Sequence, residues 1–280
     1  MPPTCIAMAI SDENPPSKIM NKAETMNKIG ILIQAAATNW NGGDDFSIKE
    51  LDGQAIFKTT YHRCVEFQKY LSESGQESEI CFVLPDRKRE RGLYEEFFAD
   101  NNIRHYFGDE YDVLNRLICC CDKRGFESVY RVNAAFWYLD LNISHNLFLQ
   151  FIKSDYDLAK LPPSFPHGFA GEFITVSSLK NLKASSSNIV TNPVVNMTQE
   201  GSFNIFEYLP EKDAILPDLI SFIRHARLQY EPERAEQIEA SLYEKGSIYY
   251  SIYNKAIEFI DEHSLVLDIA SGAGLGSCIL

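Results

Sequence analysis

The sequence predicts an α/β fold built on a mostly parallel sheet, and three observations carry that reading. Four short β-prone runs stand at 29–33, 80–84, 103–107 and 128–132, and the first three each precede a stretch of helically spaced apolar residues. The first run, within KIGILIQ at 28–34, is almost continuously apolar, as expected of a strand buried on both faces. The stretch 103–132, IRHYFGDEYDVLNRLICCCDKRGFESVYRV, contains a whole strand–turn–helix–strand unit. Two strands joined through a helix run parallel, because a hairpin return reverses the chain.

The elements follow in order. Residues 1–27 carry Pro2, Pro3, Pro15 and Pro16 without a sustained period, which predicts a mobile leader. After the first strand, Ile56, Phe57, Tyr61, Cys64, Val65 and Leu71 give a helix its apolar face. The strand at 80–84 is ended by Pro85, and the basic run DRKRERG at 86–92, which could bind phosphate, reads instead as a solvated, mixed-charge helix start. Leu93, Phe97 and Phe98 form the buried face that follows. Gly108 then allows a turn, and Asp109 is placed to cap a helix with Asp112 three residues on. Val113, Leu114, Leu117, Ile118 and Cys121 face inward, and Lys123, Arg124 and Gly125 close the helix. Residues 183–188 are polar and read as a loop, 190–206 complete the domain, and 207–213 mark a boundary. Beyond it, Leu216, Leu219, Ile220 and Ile223 make one helical face, and 249–260 a second amphipathic helix.

Composition narrows the function classes. A chain of 280 residues with 45% apolar content is long enough for a substantial core. A formal net charge of −13 argues against general binding to nucleic acid or to anionic membranes, which requires clustered Lys and Arg. Seven cysteines without paired spacing, and no compact apolar leader, fit a reducing cytoplasm. Cys119, Cys120 and Cys121 point in different directions on a helix, so they read as small buried thiols rather than as ligands of one ion.

The run YFGDEYDVLNRL resembles the signature of cytidylyltransferases of the spore-coat-polysaccharide type, relatives of the acylneuraminate cytidylyltransferases. FIKSDYDLAK and FPHGFAGEFITVSSLKNL resemble that family's later segments, in order, so the likeness spans about 28–208. It implies a nucleotide-diphospho-sugar transferase (GT-A/Rossmann-like) fold, and coupling of a sugar to CTP with a divalent metal such as Mg2+. It places nucleotide-binding positions at Gln34, Lys49, Asp112, Arg116 and Arg131, and leaves Asp140 and Glu172 as candidate catalytic acids. His167 falls in the matched FPHG segment and is read as a turn residue.

Three departures separate the chain from that pattern. The family loop Q-A-R-M-x-S-x-R-L-P-G-K becomes QAAATNWNGGDDFSIK, with Ala36 at the first Arg position and no cation from 35 to 48. Backbone amides around Gly42 and Gly43 remain as alternative donors, as a nest. Ala135 stands where the family's metal-binding Asp is expected, and Ala170 replaces a further acid, although Glu172 remains. No metal is therefore expected, or only one held by Asp140.

A second resemblance lies at the end. SLVLDIASGAGLG at 264–276 is similar to the first motif of class I S-adenosylmethionine-dependent methyltransferases, with Asp268 at the strand end and Gly272, Gly274 and Gly276 in the turn. The expected organisation is a leader (1–27), a cytidylyltransferase-like domain (28–208), and a helical linker with a truncated methyltransferase start (209–280). The expected function is a catalytically degenerate, nucleotide- or sugar-binding domain linked to surface-polysaccharide biosynthesis. It needs no cofactor in this chain, and S-adenosylmethionine belongs to the full-length methyltransferase. Two alternatives stand beside it. One is active transfer with metal ligands relocated to Asp109, Asp112, Asp140 and Glu172. The other is a methyltransferase whose N-terminal domain presents substrate.

Overall fold

β1 (Ile29–Gln34) is the axis of the fold, pairing residue for residue with a parallel neighbour on either side. The computed structural model describes residues 28–210, apart from Trp40, Asp52, Ser164, Pro166 and His167. The leader, the helices beyond 214, and the motif of Asp268, Gly272, Gly274 and Gly276 lie outside the described residues. After β1 come a short hairpin, β2 (Glu50–Leu51) and β3 (Gln54–Ala55), then α1 (Ile56–Glu73), β4 (Ser78–Pro85) and α2 (Lys88–Asp100). Next are β5 (His105–Gly108), α3 (Val113–Arg124), β6 (Ser128–Asn133) and α4 (Leu141–Phe151). β7 (Leu158–Lys160), β8 (Glu172–Thr175), α5 (Val176–Ser185), α6 (Pro193–Glu200) and β9 (Ile205–Glu207) complete it.

The main sheet has the order β5-β4-β1-β6-β8-β7-β9, and β8 alone runs against its neighbours. The expected α/β architecture is therefore present, with helices on both faces. Alternation along β1 sorts them: Ile29, Ile31 and Ile33 join the core under α1, α2 and α4, while Leu32 joins the core under α3, α5 and α6. Because β8 is reversed, its first residue, Glu172, sits at the same sheet edge as the last residues of β1 and β6.

Several local expectations shift. The third strand starts at His105, two residues late, and Ile103 instead packs into the core while its amide bonds Phe98. Asp112, not Asp109, caps α3 by accepting from the Asn115 amide at 3.0 Å. Asp109 is spent one turn earlier, accepting from the Tyr111 and Asp112 amides. Gly108 ends β5 without turning, and its missing Cβ leaves room for the Tyr106 ring and the Arg116 stem. α2 is rotated from its expected face: Glu90, Tyr94 and Phe98 are buried, while Leu93 is exposed. α1 keeps its expected face, with Tyr61 and Val65 partly buried against the core, and buries Thr60 and Phe67 as well. The polar stretch at 183–188 begins inside the last turn of α5. Gly125, with φ +70°, closes α3 as its sequence indicated.

Gly171 carries the tightest approach. A Cβ there would lie 2.2 Å from the Arg131 carbonyl oxygen. Its amide donates to the buried Tyr130 hydroxyl at 2.8 Å, which itself donates to Ser144 Oγ at 2.7 Å. Gly171→Ala is expected to destabilise the domain by about 2–3 kcal/mol, since backbone rather than a movable side chain must yield. Chemical denaturation reads this; a midpoint unchanged from the parent would refute the packing account.

Candidate functional site

The strand order reverses beside β1: β4 and β5 lie to one side of it and β6 to the other. In open α/β sheets the crevice at such a point, outside the carboxyl ends of the strands, receives ligands. A cavity of about 200 Å3 lies there, lined by Gln34, Ala36, Arg87, Tyr111, Arg116 and Asn133, with Asp45 and Glu110 on its walls.

The loop after β1 is held from within. Glu90, wholly buried on α2, accepts the Ala37 amide at 3.2 Å, and the Tyr94 hydroxyl donates to the Ala36 carbonyl at 3.0 Å. The Gly42 amide bonds the Asn39 carbonyl at 3.0 Å, and the Gly43 amide bonds Asn39 Oδ1 at 3.1 Å. The expected nest of free amides is therefore consumed by Asn39. Asp45 accepts from the Ser47 amide, and Asp44 pairs with Arg89. Among the run DRKRERG, Arg89 and Arg91 are partly exposed and paired with Asp44 and with Asp86 and Glu95. Two members depart from the solvated reading: Glu90 is buried under the loop, and Arg87 reaches the cleft.

Two guanidinium groups converge on the cavity. Arg87 pairs with Glu110 at 2.8 Å and lies over the Tyr111 ring. Arg116 is 4% exposed, and its Nη1 donates to the Asp109 carbonyl at 2.8 Å. Its Nε is buried without a hydrogen-bond partner among the described residues. Burial, and then the like charge of Arg87, push the Arg116 pKa down to about 10, against the opposing pull of Asp109, Glu90 and Asp112. An anion entering the cleft would supply the counter-charge that offsets both effects.

The structure brings Gln34 and Arg116 together and disperses the remaining residues singled out in the sequence. Lys49 lies over the Phe46 ring, outside the cavity lining. Asp112 caps α3 and accepts Lys183 Nζ at 2.6 Å. Asp140 caps α4 through the Ile143 amide at 2.8 Å. Arg131 donates Nε to Gln34 Oε1 at 2.9 Å and Nη1 to Glu172 Oε2 at 3.0 Å, so it braces the cleft floor from behind. Glu172 lines a separate pocket. Ala135 offers only its amide, which bonds Asn133 Oδ1 at 2.9 Å. Asp109, Asp112, Asp140 and Glu172 are thus each engaged in local roles. Among the described residues no three His, Cys, Asp or Glu groups assemble as ligands. The residues at this edge do not fit the divalent metal that the resemblance implies. Sequence reasoning set Arg87 aside with its solvated run and missed Glu110, Tyr111 and Asn133; the usable signal was their position at or just past strand ends.

No family model matches the sequence, and no curated protein matches it significantly. Among solved structures, a cytidylyltransferase from Leptospira borgpetersenii serovar Hardjo-bovis is similar at TM-score 0.56 and 16% identity, over 86% of this chain and 100% of that one. A CMP:2-keto-3-deoxy-manno-octonic acid synthetase complexed with CTP gives TM-score 0.48 and 10% identity, over 65% of this chain and 89% of that one. A nucleotidyl transferase from Methanothermobacter thermautotroptrophicus gives 0.49 and 13%, over 71% and 99%. The first likeness establishes the fold: this domain is built as nucleotidyltransferases of the cytidylyltransferase type are.

A guanidinium whose charge is disfavoured by folding costs stability in the empty protein. Arg116→Met is expected to stabilise it by about 1 kcal/mol, with stem packing kept and the buried charge removed. The gain should be full below pH 10 and shrink as pH rises through the range where the unfolded arginine also loses its proton. Thermal melting at neutral pH checks it, and a clear loss of stability would show that Arg116 is a structural brace.

Proposed function

We propose that this domain binds a nucleoside or nucleoside monophosphate in the cleft and does not carry out nucleotidyl transfer. The observation that carries the reading is Arg116: a buried guanidinium opening on the cavity, held by a neutral carbonyl, with Arg87 beside it. Phosphate is the ligand group that matches two convergent guanidinium groups. Gln34, whose Oε1 accepts from Arg131, lines the same space. A triphosphate fits less well. It carries about four negative charges, and Asp45 and Glu110 stand on the walls that would receive it. The loop from Ala35 to Ile48 brings no cation, and its glycine amides are occupied.

Transfer requires stabilisation of charge that develops on phosphate oxygens, and a missing electrostatic group typically costs about a hundredfold or more in rate. Ala36, Ala135 and Ala170 remove such groups at three separate places. The domain then serves as a nucleotide- or nucleotide-sugar-binding scaffold. The setting in surface-polysaccharide biosynthesis and the link to a methyltransferase through Asp268, Gly272, Gly274 and Gly276 rest on the sequence resemblances, and the cytoplasmic location on the cysteine spacing.

Calorimetric titration of the full chain with cytidine, CMP, UMP, AMP and CTP, with and without Mg2+, tests this. At least one monophosphate should bind, more weakly by about tenfold in Arg116→Gln. CTP should bind no tighter than CMP, Mg2+ should not change the order, and pyrophosphate release should stay at background. Mg2+-dependent pyrophosphate release by the unmodified chain with an acidic sugar would overturn the reading.

A further inference from the structure

Beside the cleft, at the same sheet edge, lies a second pocket of different chemistry. Its volume is about 330 Å3, at the small end of small-molecule sites. Phe136, Pro162, Phe165 and Val195 line it with apolar surface, and two charged residues, Lys160 and Glu172, interrupt that lining. Glu172 is neutralised by Arg131 at 3.0 Å. Lys160, at the end of β7, is 7% exposed, and its Nζ lies 2.7 Å from Glu207 Oε1. Glu207 stands on the edge strand β9 with its side chain 42% exposed.

A buried ammonium needs a counter-charge, and the carboxylate that supplies it here stands at the solvent rim. A ligand carboxylate that takes over Lys160 leaves the charge balance of the pocket unchanged and returns Glu207 to water. The rest of the ligand must then satisfy the walls. Thr198 and Gln199 are the neutral polar side chains in the lining, too few to replace the hydration of a polyhydroxylated ring against proline and phenylalanine, whereas a hydrocarbon ring gains from the same burial. The volume accommodates a ring of benzene size.

We propose that this pocket binds a monoanionic, single-ring carboxylate, with its apolar ring against Phe136, Pro162, Phe165 and Val195 and its carboxylate on Lys160 in place of Glu207. None of these residues lines the nucleotide cleft. The site still shares a wall with it, because the chain Gln34–Arg131–Glu172 runs from one cavity to the other.

Ligand-observed NMR on the full chain tests this, with benzoate as the anionic probe and benzamide as its neutral isostere. Benzoate should bind, and benzamide about tenfold more weakly. Glu207→Gln, a substitution at a partly exposed edge position, removes the competing counter-ion and should tighten benzoate. Lys160→Met should weaken benzoate by about tenfold or more and leave benzamide unchanged. Val195→Trp should displace both probes by filling the pocket. No binding of benzoate to the unmodified chain, equal binding of benzamide, or weaker benzoate binding in Glu207→Gln would overturn the proposal. So would a benzoate signal that survives Val195→Trp and disappears in Arg116→Gln, which would assign the anion to the cleft. A failure of CMP to bind would defeat only the nucleotide reading, since Arg87 and Arg116 take no part in this pocket.

Discussion

One buried guanidinium ties together the sheet edge on which both cavities depend. Arg131, near the end of β6, donates to Gln34 on β1 and to Glu172 on β8, so three adjacent strands are joined by side chains where their backbone ladders run out. Removing one partner of such a pair typically costs about 3–5 kcal/mol, because the other charge is left buried and alone. The same constraint explains the close approach at Gly171, where the chain enters β8 against the Arg131 carbonyl.

The loop after β1 closes on its own polar groups. A triphosphate-binding loop leaves amides and cations open toward the ligand. Here Glu90, Tyr94 and Asn39 take up loop amides and carbonyls, and Asp44 and Asp45 find partners in Arg89 and Ser47. The result is a closed, self-satisfied hairpin. What positive charge the cleft has comes from the opposite walls, through Arg87 after β4 and Arg116 on α3.

The two cavities divide the chemistry of the edge between them. The cleft is polar and holds a cation that folding disfavours. The second pocket is mostly hydrocarbon, and its cation is balanced by a partly exposed carboxylate on β9. Both arrangements suit an incoming anion, by different routes: in the cleft it relieves repulsion between two arginines, and in the pocket it replaces an existing carboxylate.

The sequence by itself determined the parallel sheet, its strand–helix alternation, and the end of α3 at Gly125, because these follow from local periodicity and from the backbone freedom of one glycine. It also determined that Ala36, Ala135 and Ala170 bring no charged or carboxylate side chain, wherever they sit. The tertiary structure decided where the remaining charges went. Local spacing could not show that α2 turns Glu90 inward, or that Arg87 leaves the solvated run DRKRERG for the cleft. Nor could it show that Asp112 and Asp140 serve as helix caps, or that Arg131 bridges strands. The rotation of a helix is set by the core it packs on, and the partner of a charge by residues distant in sequence. A carboxylate or guanidinium acquires its role only when packing has chosen its neighbours.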